Sequence, residues 1–198
     1  MRFKILIMNK DYLLGIKKQF EYYKMLGEKA IDQIEDEKLF WQYNDDSNSI
    51  AIIVKHLWGN MLSRWTDFLT SDGEKDFRDR DAEFENDIQT REELLLKWNQ
   101  GWACLFNAID PLTVDDLEKI IYIRNQGHTV MEAINRQLAH YSYHVGQIVF
   151  LAKMLAEKGW ASLSIPRGDS HAYNKNKFSQ PKHKGHFTDE FLTREKKD

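Results

Sequence analysis

The stretch Gln137-Leu-Ala-His140-Tyr-Ser-Tyr-His144-Val-Gly-Gln147 lies inside a long, uninterrupted helical pattern, and the reading of the whole chain turns on it. Residues i and i+4 of a helix share a face, with Cβ atoms about 5–6 Å apart. His140 and His144 therefore aim two imidazoles in one direction. Around them Arg136, Gln137, Tyr143 and Gln147 make half of the helix's arc polar, whereas Leu151, Met154 and Leu155 make the other half apolar. Polar groups in a core stripe cost free energy unless they are paired. Such a belt is either a hydrogen-bonded layer that fixes helix register or a metal site.

This helix is the last of four. Thr129-Val-Met-Glu132 is a capping box that starts it at Val130, and Gly159 closes it after Lys158. Thr90-Arg-Glu-Glu93 starts the third helix, which carries Leu95, Trp98, Trp102, Leu105 and Ile109 on a 3-4 seam and stops at Asp110-Pro111. The second runs from the cap cluster Ser47-Asn48-Ser49 to about Leu69. At 100° per residue, its His56, Asn60, Ser63 and Asp67 share a face. Its other faces are apolar, so that polar stripe is not expected to meet open solvent. The first helix covers Lys10 to Ile34, with Leu13, Ile16, Phe20, Tyr23, Gly27, Ala30 and Ile34 along its seam.

Two connections differ in character. Ser71 to Gln89 is dense in charge and reads as a long solvated connection; the lesser alternative is a lid over a site, anchored by Phe77 and Phe84. Before the last helix, Ile120-Ile-Tyr-Ile123 is β-prone and Asn125-Gln-Gly127 is a turn signal. The pattern predicts an all-α four-helix bundle with a short extended insert before the last helix and an irregular C-terminal tail. Residues 1–8 read as an N-terminal extension, with 1–7 upstream of a candidate start at Met8, 9–160 as the bundle, and 161–198 as an irregular segment and basic tail, either mobile or wrapped on the bundle as an arm. His183 and His186 have metal-like spacing, but on a polar tail they read as solvated.

Composition sets outer bounds. A net charge of −3 gives no electrostatic argument for nucleic acid or a membrane surface, and no run is long enough to span a bilayer. Cys104 is the single cysteine, so no intrachain disulfide forms; a cytoplasmic location is the default. In its apolar helical setting Cys104 is expected to be buried and inert.

His56 completes a triad with His140 and His144. Three neutral imidazoles leave positions open on a divalent ion, as in a catalytic rather than a closed structural site. The zinc-protease helix needs Glu directly after its first histidine, and Tyr141 stands there instead, so peptidase chemistry is disfavoured.

His56 in Ile-Val-Lys-His56-Leu-Trp-Gly-Asn60, the strand-like insert, and Ala-His140-Tyr-Ser-Tyr-His144-Val-Gly-Gln147 together resemble the DinB/YfiT-like superfamily of metal-dependent four-helix-bundle proteins, over residues 9–158. Trp65-Thr-Asp-Phe-Leu-Thr-Ser-Asp-Gly73, Ala133-Ile-Asn-Arg-Gln-Leu-Ala-His140 and Ser164-Ile-Pro-Arg-Gly168 are similar to a subgroup of it that has no assigned reaction. The resemblance implies that His56, His140 and His144 hold nickel, zinc or a similar divalent ion, often in a homodimer. Some members join a low-molecular-weight thiol to a small-molecule substrate. The expectation is a small-thiol S-transferase, with Arg136 holding an anionic group and Asn60, Tyr143 and Gln147 orienting ligands. The alternatives are a metal-dependent hydrolase on the same site and a non-enzymatic metal-binding or interaction protein.

Overall fold

The computed structural model describes residues 2–193, with side chains from Asp11 onward. Helix α1 spans Arg2–Ile31, α2 Ile50–Trp65 and α3 Arg91–Ile109. Strands β1, Ile120–Ile123, and β2, Gln126–Thr129, form an antiparallel hairpin that feeds directly into α4, Val130–Leu155. Two short helices follow, α5 at Ser170–Phe178 and α6 at Asp189–Leu192. α2 packs along α3, α1 along α4, and α2 also meets α4, so the four long helices surround one core. Among the described residues no helix is long and apolar enough to cross a membrane.

The starts are set by side-chain caps. Ser49 Oγ accepts from the Ile52 amide at 3.1 Å and Thr90 Oγ1 from the Glu93 amide at 3.1 Å. At the head of α4, Thr129 and Glu132 cap one another's amides reciprocally. α1 begins well upstream of the expected Lys10, and α2 ends a turn before Leu69. Asp67, expected on the polar face of α2, instead lies in the turn beyond it with φ +47°.

The seams bury as their spacing dictates. Phe20, Trp98, Trp102, Leu105 and Tyr141 sit at the centre, with Trp102 in edge contact with both Trp98 and Tyr141. Leu94 rather than Leu95 begins the buried stripe of α3. Where α1 crosses α3, Gly27 faces the Trp98 indole. A Cβ there would stand 2.6 Å from Trp98 Cζ2.

The hairpin turns at Arg124-Asn125, one residue ahead of the signal at 125–127. Both residues have positive φ, 55° and 60°, as a two-residue hairpin turn of this hand requires. Neither is glycine, and the conformation is supported from a distance: the Asp72 carboxylate accepts from both backbone amides at 2.8 Å.

The C-terminal segment packs as an arm. Lys18 reaches Asp189 at 2.6 Å, Lys184 reaches Asp11 at 2.6 Å, and Phe187 and Phe191 contact the Tyr22 ring. Among the described residues His183 and His186 join no metal-like cluster; His186 Nδ1 faces Thr188 Oγ1 at 2.8 Å.

Gly27→Ala tests the crossing. Helix propensity would favour alanine by about 1 kcal/mol. Overpacking costs about 1–3 kcal/mol, and the Trp98 ring is buried with the Trp102 ring at 5.4 Å between centroids. The expected outcome is net destabilisation, read as a lower urea midpoint with an unchanged m-value.

Candidate metal centre

α2 and α4 pack against one another, and their polar stripes meet. His56 from α2 and His140 and His144 from α4 each bring a ring nitrogen to within 4.8 Å of the others. His140 Nε2 lies 3.2 Å from His56 Nε2 and 3.1 Å from His144 Nε2. Metal–nitrogen bonds of about 2.0–2.1 Å in a tetrahedral set place neighbouring donors roughly 3.3 Å apart. The two spacings at His140 are of that size. This is the triad that the sequence singled out, and among the described residues no other group of histidine, cysteine and acidic side chains has this geometry.

The outer nitrogens decide what the inner ones can do. His56 Nδ1 donates to Glu83 Oε2 at 2.9 Å. His144 Nδ1 donates to Gln147 Oε1 at 3.0 Å. While neutral, each of these two rings carries its one N–H on Nδ1 and presents a bare Nε2 lone pair to the centre. His140 Nε2 can donate a proton to only one of them. At least one lone pair therefore lacks a protein hydrogen to face, which is costly in a half-buried site and natural around a cation. The donor set fits a divalent ion that accepts imidazole, and His56, His140 and His144 are the residues that would hold it.

Burial, with the neighbouring imidazoles adding to it, lowers His140 to about 3 and His144 to about 4. Both rings are uncharged at neutral pH, as a metal ligand must be. Burial alone would raise the Glu83 carboxyl. The hydrogen bonds from His56 and Arg78 outweigh burial, and its pKa lies below the ordinary value.

The other expected site residues are placed less uniformly. Gln147 touches His144 directly. The exposed Tyr143 ring stands edge-on to His144 at 5.0 Å. Arg136 is exposed, with Nη1 3.5 Å from His128 Nε2 on β2. Asn60 belongs to a core chain: Trp65 Nε1 donates to Tyr141 Oη at 2.9 Å, and Tyr141 donates to Asn60 Oδ1 at 3.1 Å. Tyr141 is fully buried, with its phenol pushed far up by burial, so the group after His140 serves the core. A cavity of about 770 Å³ is lined by Trp65, Phe68 and Cys104 and by none of the three histidines. Burial raises the half-buried Cys104 thiol, which makes it a poor nucleophile.

The charge-dense connection is not simply solvated. Glu83 is buried against His56, and the Phe84 ring stacks on the His56 imidazole with centroids 4.9 Å apart. Phe77, the other expected anchor, is exposed. Neither Glu83 nor its partner Arg78 stands out in a run of acidic and basic residues. The available signal was Gly59, a helix-interior glycine three residues after His56, which marks a close approach by something.

The lowered histidines carry a pH dependence. Between the ordinary value of 6.5 and the folded values of about 4 and 3, the unfolded chain binds more protons than the folded one. Stability without metal is therefore full above pH 6.5 and declines as pH falls through this window. Chelator-treated protein is expected to show a lower urea midpoint at pH 5 than at pH 7. The slope should flatten in the His140→Ala, His144→Ala double variant.

No curated protein and no solved structure matches the chain. A family model does, over residues 8–169, and its description is a protein of unknown function, DUF1572. The matched span covers most of the chain and includes the three converging histidines, their partners Glu83 and Gln147, and all four long helices but the start of α1. The chain belongs to the DUF1572 family.

Proposed function

We propose that the chain is a metal-dependent member of the DinB/YfiT-like superfamily that joins a small thiol to an electrophilic small molecule. The observation that supports this reading best is the gathering of the three histidines, with His140 Nε2 3.2 Å and 3.1 Å from the other two Nε2 atoms and the Nδ1 atoms of His56 and His144 held from the far side of their rings. The ion, nickel or zinc first, would be held by His56, His140 and His144. When bound, it lowers the pKa of a thiol that reaches it, and the thiolate is the nucleophile.

The side chains divide the remaining work. Glu83 and Gln147 orient the rings. Phe84 covers His56 and excludes water on that side. His140 is half-buried, which leaves the approach on its side of the site. Arg136 lies one turn before His140 on α4 and is available to an anionic group of the thiol, with Tyr143 flanking. In the transfer, the sulfur bonds to an electrophilic carbon, the thiol proton passes to solvent, and the leaving group departs with its bonding pair.

Hydrolysis at the same centre is the weaker reading. It calls for a base beside the attacking water. Glu83, the one buried carboxylate among the described residues, has both oxygens engaged by Arg78 and His56. A homodimer in the cytoplasm acting on a small molecule completes the proposal; Tyr143, Phe150 and Met154 leave an exposed apolar row on α4 that a second copy would cover.

Protein prepared without an affinity tag is expected to carry about one nickel or zinc per chain, and His140→Ala to lose it. Product formation from an electrophile should require added thiol. Metal-free protein whose stability ignores both chelator and His140→Ala would sink the proposal. Product formed equally well without a thiol would replace transfer by hydrolysis.

A further inference from the structure

Residues 72–85 are tied down across α2 by a continuous ionic chain. At one end, the Asp72 carboxylate accepts from the amides of Glu74, Arg124 and Asn125, and the Gly73 amide donates to Tyr122 O at 2.8 Å. Glu74 Oε2 then accepts from Arg64 at 3.0 Å and Arg78 at 3.3 Å, with Arg124 Nη2 at 3.2 Å. Arg78, whose side chain is 3% exposed, donates Nε to Glu83 Oε1 at 2.7 Å and Nη2 to Oε2 at 3.0 Å. Glu83 Oε2 receives the His56 proton. The chain runs from the hairpin turn to a ligand of the proposed metal.

Gly59 makes the last link sterically feasible. A Cβ on it would collide with Glu83 Oε1 and stand 2.8 Å from Cδ. Glu83 ordinarily yields as a flexible side chain, but here two residues grip both of its oxygens. A methyl at position 59 and the His56–Glu83 hydrogen bond are therefore incompatible.

We propose that Glu83 is the positioning residue of the metal centre, seated by Arg78 and Gly59, and that metal binding and closure of the 72–85 strap are one coupled equilibrium. This rests on the metal reading above. A cation at Nε2 makes the Nδ1–H a stronger donor, which tightens its bond to the carboxylate and draws the strap down. The closed strap, in turn, holds His56 in the tautomer that offers Nε2. Coupling of this kind is reciprocal. Loss of such an outer partner weakens metal binding about 10–100-fold.

The test uses the full chain, with zinc affinity measured by chelator competition in wild type, Glu83→Gln and Gly59→Ala. Glu83→Gln is expected to bind zinc about 10–100-fold more weakly. Gly59→Ala alters no charge and adds a helix-favouring methyl, and is expected to weaken zinc in the same direction. Zinc should slow hydrogen exchange in residues 72–85 of wild type and much less in Gly59→Ala. Nitrogen-15 spectra of the metal-free proteins add a readout that packing alone would not move: the His56 proton sits on Nδ1 in wild type and shifts toward Nε2 in Gly59→Ala. Should Glu83→Gln fail to fold, Gly59→Ala decides. Variants that bind zinc as tightly as wild type, or exchange in 72–85 that ignores zinc, overturn this inference alone. A wild type that takes up no zinc overturns the metal reading, and the coupling with it.

Discussion

The hydrogen bond from His56 to the Glu83 carboxylate is the constraint from which the rest of the site can be worked out. A buried carboxylate needs a cation, and leaving one of a buried pair alone costs about 3–5 kcal/mol. Arg78 answers it with two parallel N–H bonds, but burying Arg78 leaves a third edge of the guanidinium to satisfy. Glu74 takes that edge, and with it Arg64 from α2 and Arg124 from the hairpin. A run that looks like solvated charge is thus a sequence of partners, each required by the one before.

The bundle beneath is split by the same logic. One half of the α2–α4 contact is polar and organised around the imidazoles. The next layer is a Trp65–Tyr141–Asn60 relay that pairs the indole and phenol donors, and beyond it the core is aromatic and aliphatic. Tyr141 and His140 are adjacent in sequence yet serve these two layers separately. The Tyr141 ring packs against Phe20 and Trp102, while its neighbour His140 faces the other two imidazoles.

How much of this could be read from sequence follows the range of the interactions involved. Helix seams and caps are local, so the four long helices and their buried faces were legible, with errors at the ends. The triad was legible for a related reason: His140 and His144 declare a shared face by spacing, and His56 stands on an otherwise anomalous polar stripe. Glu83 was not, because nothing within its own segment distinguishes it from Glu85 or Asp87; its role is set by a glycine and a histidine on another helix. The hairpin turn slipped by one residue for the same reason. Arg124 is a poor residue for a left-handed turn by its own preferences, and the compensation comes from Asp72, far away in the chain.

The placement of the three donors also bears on chain connectivity. His140 and His144 are four residues apart, but His56 precedes His140 by 84. An ion shared among them is a cross-link that closes a loop spanning α3, the hairpin and half of α4. Closing a long loop removes conformational freedom from the unfolded chain, the effect usually ascribed to disulfides. In a protein with a single cysteine that staple is not available covalently. A histidine-held ion would supply a reversible one, so the same atom would set both the chemistry of the site and the lifetime of the fold around it.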